Sequence, residues 1–153
     1  MKIFSTLHFL SPKVSIEILN LSGDGFHVIA KAIINGQNIS MLIDTGASKT
    51  VLDKAEIFQR FPKIRIQKRK ELSTGLGTDS MESFSTTIES FQIGSLNLNN
   101  LEIALLDLSH IQNAYKLMGL EEISGVIGND ILVEYGAEIN LVNKNIKFLK
   151  SRN

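Results

Sequence analysis

Apolar residues in this chain come in short bursts separated by Gly and Asn, and only two prolines interrupt them. Runs of Val, Ile, Leu and Phe this short predict strands rather than long helices. VSIEILN (14–20) alternates and reads as a strand, with SGDGF (22–26) as the turn that follows. HVIAKAII (27–34) and QNISMLI (37–43) flank Asn35-Gly36, the strongest short hairpin signal. KIRIQKRKEL (63–72) reads as an exposed strand and STGLGTDS (73–80) as a Gly-rich tip between two strand-like arms. FSTTIESFQI and LNLNNLEIALLDL form a hairpin about Gly94-Ser95, and AEINLVNKNIKFLK a closing hairpin turning at Asn143 to Asn145.

Helical signals are fewer. DKAEIFQRF (53–61) fits a short helix stopped before Pro62. SHIQNAYKLMG (109–119) is clearer. Ser109 and Gln112 have the spacing of a capping box, Gly119 suits a C-terminal cap, and Ile111, Ala114, Tyr115 and Met118 make one apolar face. Asp130 is placed to cap a helix running from 131. The pattern predicts a mainly β fold with one or two short helices. With 153 residues and no linker-like stretch, a single domain spanning 1–153 is expected, with 1–25 as an N-terminal extension of uncertain pairing.

Charge and composition remove several function classes. Lysine plus arginine equals aspartate plus glutamate at 16 each, so no global field draws the chain to nucleic acid or an anionic membrane. There is no Cys, which excludes disulfides, thiolate metal sites and a Cys nucleophile. No apolar run approaches the roughly 18 residues of a membrane span. The start, MKIFSTLHFL, is broken by Ser5, Thr6 and His8 and has no small-x-small cleavage site. It reads as a strand rather than a signal peptide, so a cytoplasmic location is expected. His8, His27 and His110 lack paired metal spacing, so neither a metal nor another cofactor is expected. Gly75 and Gly77 lack the third glycine and the lysine of a phosphate loop. The basic run Lys63, Arg65, Lys68, Arg69 and Lys70 has no interleaved aromatics and reads first as a solvated face. Its rival reading is a nucleic-acid or partner patch, against which the zero net charge counts.

The stretch MLIDTGASKTVLD (41–53) stands apart. An apolar strand, Met41 to Ile43, drives Asp44 toward an interior, where a carboxylate is costly unless something pairs with it. Gly46 permits a sharp turn, Ala47 and Ser48 keep it narrow, and Thr50-Val51-Leu52 carries the chain back into an apolar segment. GVIG (125–128) is a second apolar run ending in Gly, placed to pack under that turn through Val126, Ile127 and Gly128.

LIDTGASKTV followed by GVIGNDIL resembles the retropepsin-like aspartic proteases, single-domain relatives of the retroviral enzymes. The resemblance runs from about residue 26 to 150 and keeps the order hairpin, D-T-G-A turn, Gly-rich tip, helix, apolar-apolar-Gly, closing strands. Three departures stand out: the long segment 79–122, Asn129-Asp130 where retroviral members usually carry Arg and then Asn or Asp, and residues 1–25, which have no counterpart. The resemblance implies an acid-protease barrel and an endopeptidase acting on peptides or proteins. Asp44 would be catalytic, Thr45, Gly46 and Ala47 would support the turn, and Gly75, Leu76, Gly77 and Thr78 would form a flap. Such enzymes need two carboxylates about 3 Å apart that share one proton. Of the aspartates at 24, 44, 53, 79, 107 and 130, only Asp44 lies in a D-T-G. The second carboxylate is therefore expected from another copy of the chain, in a homodimer. The alternative is a module that keeps the fold and binds peptides or proteins without cleaving them.

Overall fold

The computed structural model of the protein describes residues 12–69 and 83–150. The first-strand reading of residues 1–10 and the flap at 73–80 lie outside them. Ten strands and three helices follow along the chain: β1 (Val14–Asn20), β2 (Phe26–Ile34), β3 (Gln37–Ile43), β4 (Val51–Asp53), α1 (Lys54–Arg60), β5 (Ile66–Arg69), β6 (Ser83–Ile93), β7 (Leu96–Leu106), α2 (Ser109–Leu117), β8 (Gly125–Ile127), α3 (Asn129–Leu132), β9 (Ala137–Asn140) and β10 (Asn145–Phe148). The mainly β class holds, with one helix more than expected.

The hairpins form where the turn chemistry puts them. Asn35 and Gly36 carry φ of 46° and 81°, the positive pair that matches the twist of the flanking strands. The Asn35 N–H donates to the Ser90 carbonyl at 2.9 Å, and its side-chain oxygen accepts from the Ser90 N–H at 3.0 Å. This ties the tip of β2–β3 to β6. Beside it, Ile33 and Ile34 pair with Gln92 and Phe91. That pairing closes a barrel of β2, β3, β8, β4, β7 and β6. β5 adds to the outer half of β6, while β1, β10 and β9 continue from β2. Part of the N-terminal extension is thus structural: β1 pairs with β2 and with β10. The closing turn occupies 141–144, slightly earlier than expected.

Two apolar clusters hold these strands. One fills the barrel with Ile34, Met41, Ile43, Leu52, Phe91, Leu105 and Ile127 among others. The second lies outside it, where Tyr115 of α2 and Ile123 cover Ile29, Leu42 and Val126. Strands β3 and β8 are therefore buried on both faces, so their apolar residues run continuously instead of alternating. The face expected for α2 is narrower than its sequence suggested. Tyr115 is buried and Ile111 partly so, but Ala114 and Met118 are exposed.

Helix caps depart from expectation more than helix positions do. α1 starts as read: Asp53 accepts from the Glu56 N–H at 2.8 Å, and its other oxygen accepts from the Leu108 N–H at 2.9 Å. α2 has no side-chain cap bond. Its Ser109 N–H instead donates to Asp107 at 2.9 Å, and the two serine contacts hold the Asp107 carboxyl below the ordinary range. Gln112 does not reach back to the cap. Its amide oxygen accepts from the Ile123 N–H at 3.2 Å and its nitrogen donates to the Ile123 carbonyl. A capping box is a local option, and here the long-range partner, which fixes the segment after α2, takes the amide.

β8 threads between β3 and β4, parallel to the first and antiparallel to the second. The space is tight at Gly125, where an added Cβ would lie 2.3 Å from the Val51 carbonyl oxygen and 2.8 Å from Leu52 Cδ2. Backbone cannot move out of the way without parting two ladders. Gly125→Ala should lower stability by about 1–3 kcal/mol or more, the usual cost of overpacking. Urea unfolding of the two proteins measures it, and an unchanged midpoint would show that β8 is not wedged there.

Candidate active site

β3 delivers Asp44 to the mouth of the barrel. The Asp44 N–H donates to the Ile127 carbonyl at 3.1 Å and so continues the β3–β8 ladder by one bond. The chain then turns. The Ala47 N–H donates to the Asp44 carbonyl at 3.2 Å, and the Gly46 N–H to Asp44 Oδ1 at 2.8 Å. A Cβ on Gly46 would stand 3.1 Å from that same oxygen, so the residue's smallness sets how near the backbone comes to the carboxylate. Asp44 is half-buried, whereas Thr45 and Gly46 are exposed. Ala47 packs against the second apolar cluster, and so anchors the turn to the region under α2.

The residues after β8 hold the other side of the turn. Gly128 lies where a Cβ would be 2.5 Å from the Lys49 carbonyl carbon and 2.9 Å from the Ala47 oxygen. This close approach lets the Asn129 N–H donate to the Ala47 carbonyl at 2.8 Å and its side-chain amide to the Thr45 carbonyl at 2.7 Å. At the far arm, Thr50 is buried. Its hydroxyl accepts from the Gly128 N–H at 3.0 Å and donates to Asp130 Oδ1 at 2.7 Å, and its own N–H donates to that oxygen at 2.8 Å. The turn is thus fixed by β8 below and by the start of α3 beside it.

Asp130 differs from its sequence reading. α3 begins at Asn129, with Gly128 as its cap residue and no side-chain cap bond. Asp130 accepts from the Ile131 N–H at 3.0 Å, but it also reaches across to Thr50. A carboxylate in a first turn is favoured by the helix's free N–H groups, and that preference alone gave no hint of the second partner. From the sequence, neither Thr50, which reads only as the start of the returning segment, nor Asn129, which reads only as a departure from the retroviral pattern, has a role in holding the turn. The available signal was a polar residue at an inward position directly before Val51-Leu52, and an amide directly after the Gly that touches the turn.

Val126 and Ile127 pair with Leu42 and Ile43 and divide between the two clusters, Val126 under α2 and Ile127 inside the barrel. Gly75, Leu76, Gly77 and Thr78 lie outside the described residues. Asp53, Asp107 and Asp130 are engaged as described above, whereas Asp44 has the Gly46 N–H as its one side-chain bond among the described residues. The basic strand is partly neutralised, since Arg69 pairs with Glu102 and donates to Ser85 at 3.2 Å. Among the described residues, no helix is long and apolar enough to cross a membrane.

Comparison with known proteins places this architecture. No curated protein matches the sequence. The retropepsin-like aspartic protease of Rickettsia conorii superposes with a TM-score of 0.52 at 18% identity, over 89% of this chain and 87% of its own, so the two share a fold. The retroviral protease-like domain of Ddi1 from Leishmania major gives a TM-score of 0.48 at 14% identity, over 79% of this chain and 92% of its own. For the EIAV protease the TM-score is 0.47 at 23% identity, over 74% of this chain and 91% of its own. The family described as "gag-polyprotein putative aspartyl protease" matches residues 30–134, well over half of the chain and inclusive of both the D-T-G turn and β8. A match over that span, on a closed barrel of this topology, makes the chain a member of the retropepsin-like aspartic proteases.

Proposed function

We propose that the chain is an aspartic endopeptidase whose catalytic carboxylates are the Asp44 residues of two copies. The observation that carries this reading is the turn itself. A half-buried aspartate with a single N–H on one oxygen lies beside an exposed Thr45-Gly46 edge, and both flanks of the turn are held from within the fold. A second copy brought to that edge by a twofold axis would set the two carboxylates together. Thr45 would hydrogen-bond across the axis, and Gly46 would keep the carboxylates close.

The chemistry follows from one shared proton. The ionised carboxylate takes a proton from water as the water oxygen attacks the scissile carbonyl carbon, while the protonated one gives its proton to the carbonyl oxygen. The tetrahedral diol then collapses as its C–N bond breaks: the ionised carboxylate takes a proton from one diol hydroxyl while the protonated one gives its proton to the leaving amine, which restores the singly protonated dyad. An extended substrate would pair its backbone with the cleft as an added strand does.

Asp44→Asn should reduce peptide cleavage by roughly 10²- to 10⁴-fold or more, the scale of a lost acid–base group, and leave the fold intact. For the wild type, kcat/KM should fall on both sides of a pH maximum, since either the doubly protonated or the doubly ionised pair is idle. Cleavage by the Asn variant at the wild-type rate would remove Asp44 from the mechanism.

The two-copy site also makes activity depend on concentration. Specific activity should drop on dilution in step with loss of dimer in sedimentation. Cleavage that persists unchanged where only monomer sediments would contradict a shared dyad.

A further inference from the structure

Beside the turn lies a groove of about 220 Å³, walled by the turn's outgoing arm on one side and by β6 and β7 on the other. Its charged lining is Lys49, Arg69, Glu102 and Asp130. Three of these are engaged. Arg69 pairs with Glu102, and Asp130 Oδ1 accepts from the Thr50 N–H, the Thr50 hydroxyl and the Ile131 N–H. Lys49 is exposed and has no ion pair among the described residues. A further cation borders the groove, because the Lys54 ammonium sits 3.4 Å from the ring centre of Phe84, which lines it.

We propose that Lys49 is a specificity-determining residue and that the groove selects peptides carrying Glu or Asp a few residues from the bond cut. Lys49 follows Asp44 by five positions on the same turn, so a side chain that reaches it belongs to a substrate already lying across the site. Its backbone is fixed: the Lys49 carbonyl abuts Gly128, and the next residue is buried. A free ammonium on a fixed backbone is a directional anchor for a carboxylate. Asp130 would repel the same carboxylate, but it is half-buried with one oxygen carrying three hydrogen bonds, whereas the ammonium is at the rim. The selection is electrostatic and partly in water, so it should be moderate and weaken with salt.

This inference rests on the endopeptidase reading, and one experiment separates the two. A proteome-derived peptide library is digested with the full-length protein, with Asp44→Asn as the blank, and the cut sites are read by mass spectrometry. Peptides from one cut site are then remade with Glu, Gln or Lys at each position within four residues of the bond. The readout is the kcat/KM ratio between paired peptides in wild type, Lys49→Gln and Lys49→Glu. Wild type should prefer Glu to Gln at one position by about 2- to 5-fold, the scale of a partly screened ion pair. The preference should vanish in Lys49→Gln, invert toward Lys in Lys49→Glu, and shrink in wild type as salt is raised. Asp44-dependent cutting with no acidic preference, or with the same preference in all three proteins, overturns the role of Lys49 and leaves the protease standing. A wild-type preference for Lys would put Asp130 in control of the groove and also overturn it. No Asp44-dependent cutting at all overturns both readings.

Discussion

The close contact between Gly128 and the carbonyls of Ala47 and Lys49 is the constraint on which the rest of the site depends. Only a residue without Cβ lets α3 start against the turn. Once it does, five hydrogen bonds between the turn and Gly128, Asn129 and Asp130 become possible at once. Bonds to a charged oxygen contribute about 1.5–3 kcal/mol each, and a buried donor left without one costs a similar amount. The arrangement is therefore close to all-or-none: lose the contact and several buried groups lose partners together. A turn held this way keeps its backbone in one shape while its tip stays exposed, as the proposed two-copy site requires.

Burial on two faces supplies the rest of the rigidity. β3 and β8 are short, and an isolated pair of three- or seven-residue strands would be marginal. Here the barrel interior covers one face and α2 with Ile123 covers the other. Leu42 and Val126 face α2, while Ile43 and Ile127 face the barrel, so a one-residue slip would exchange the two environments at every position. Register at the turn is thus fixed by packing on both sides, and α2, joined to β2 by the 2.5 Å contact between His27 and Tyr115, belongs to the support of the site.

Polar groups inside this frame are all used. Among the described residues, no buried side-chain nitrogen or oxygen lacks a hydrogen-bond partner. Asp53 joins the start of α1 to Leu108 at the start of α2, and Ser124 links Glu56 of α1 to the strand that enters the site, donating at 2.8 Å. A low-dielectric interior makes such bonds strong and their loss expensive. They also give direction, since an apolar contact could slide where a bidentate carboxylate cannot.

The sequence by itself determined what local chemistry and periodicity can specify. The Asn35-Gly36 turn, the hairpin at Gly94, the helix after Asp53 and the apolar run into Asp44 were legible because each depends on residues within a few positions. The D-T-G turn and the GVIG run together carried the family. What only the tertiary structure decided was which polar side chain meets which distant backbone group. Asp130 looked like a helix cap and is also a strut to Thr50, Gln112 looked like half of a capping box and instead holds Ile123, and Met118 looked buried and is exposed. For Asp130 and Gln112 the local partner and the distant one are chemically equivalent, an N–H or a carbonyl, so the sequence has no basis for choosing. The choice falls to the fold, which brings the distant group within 3 Å or so and makes leaving it unpaired the costlier outcome.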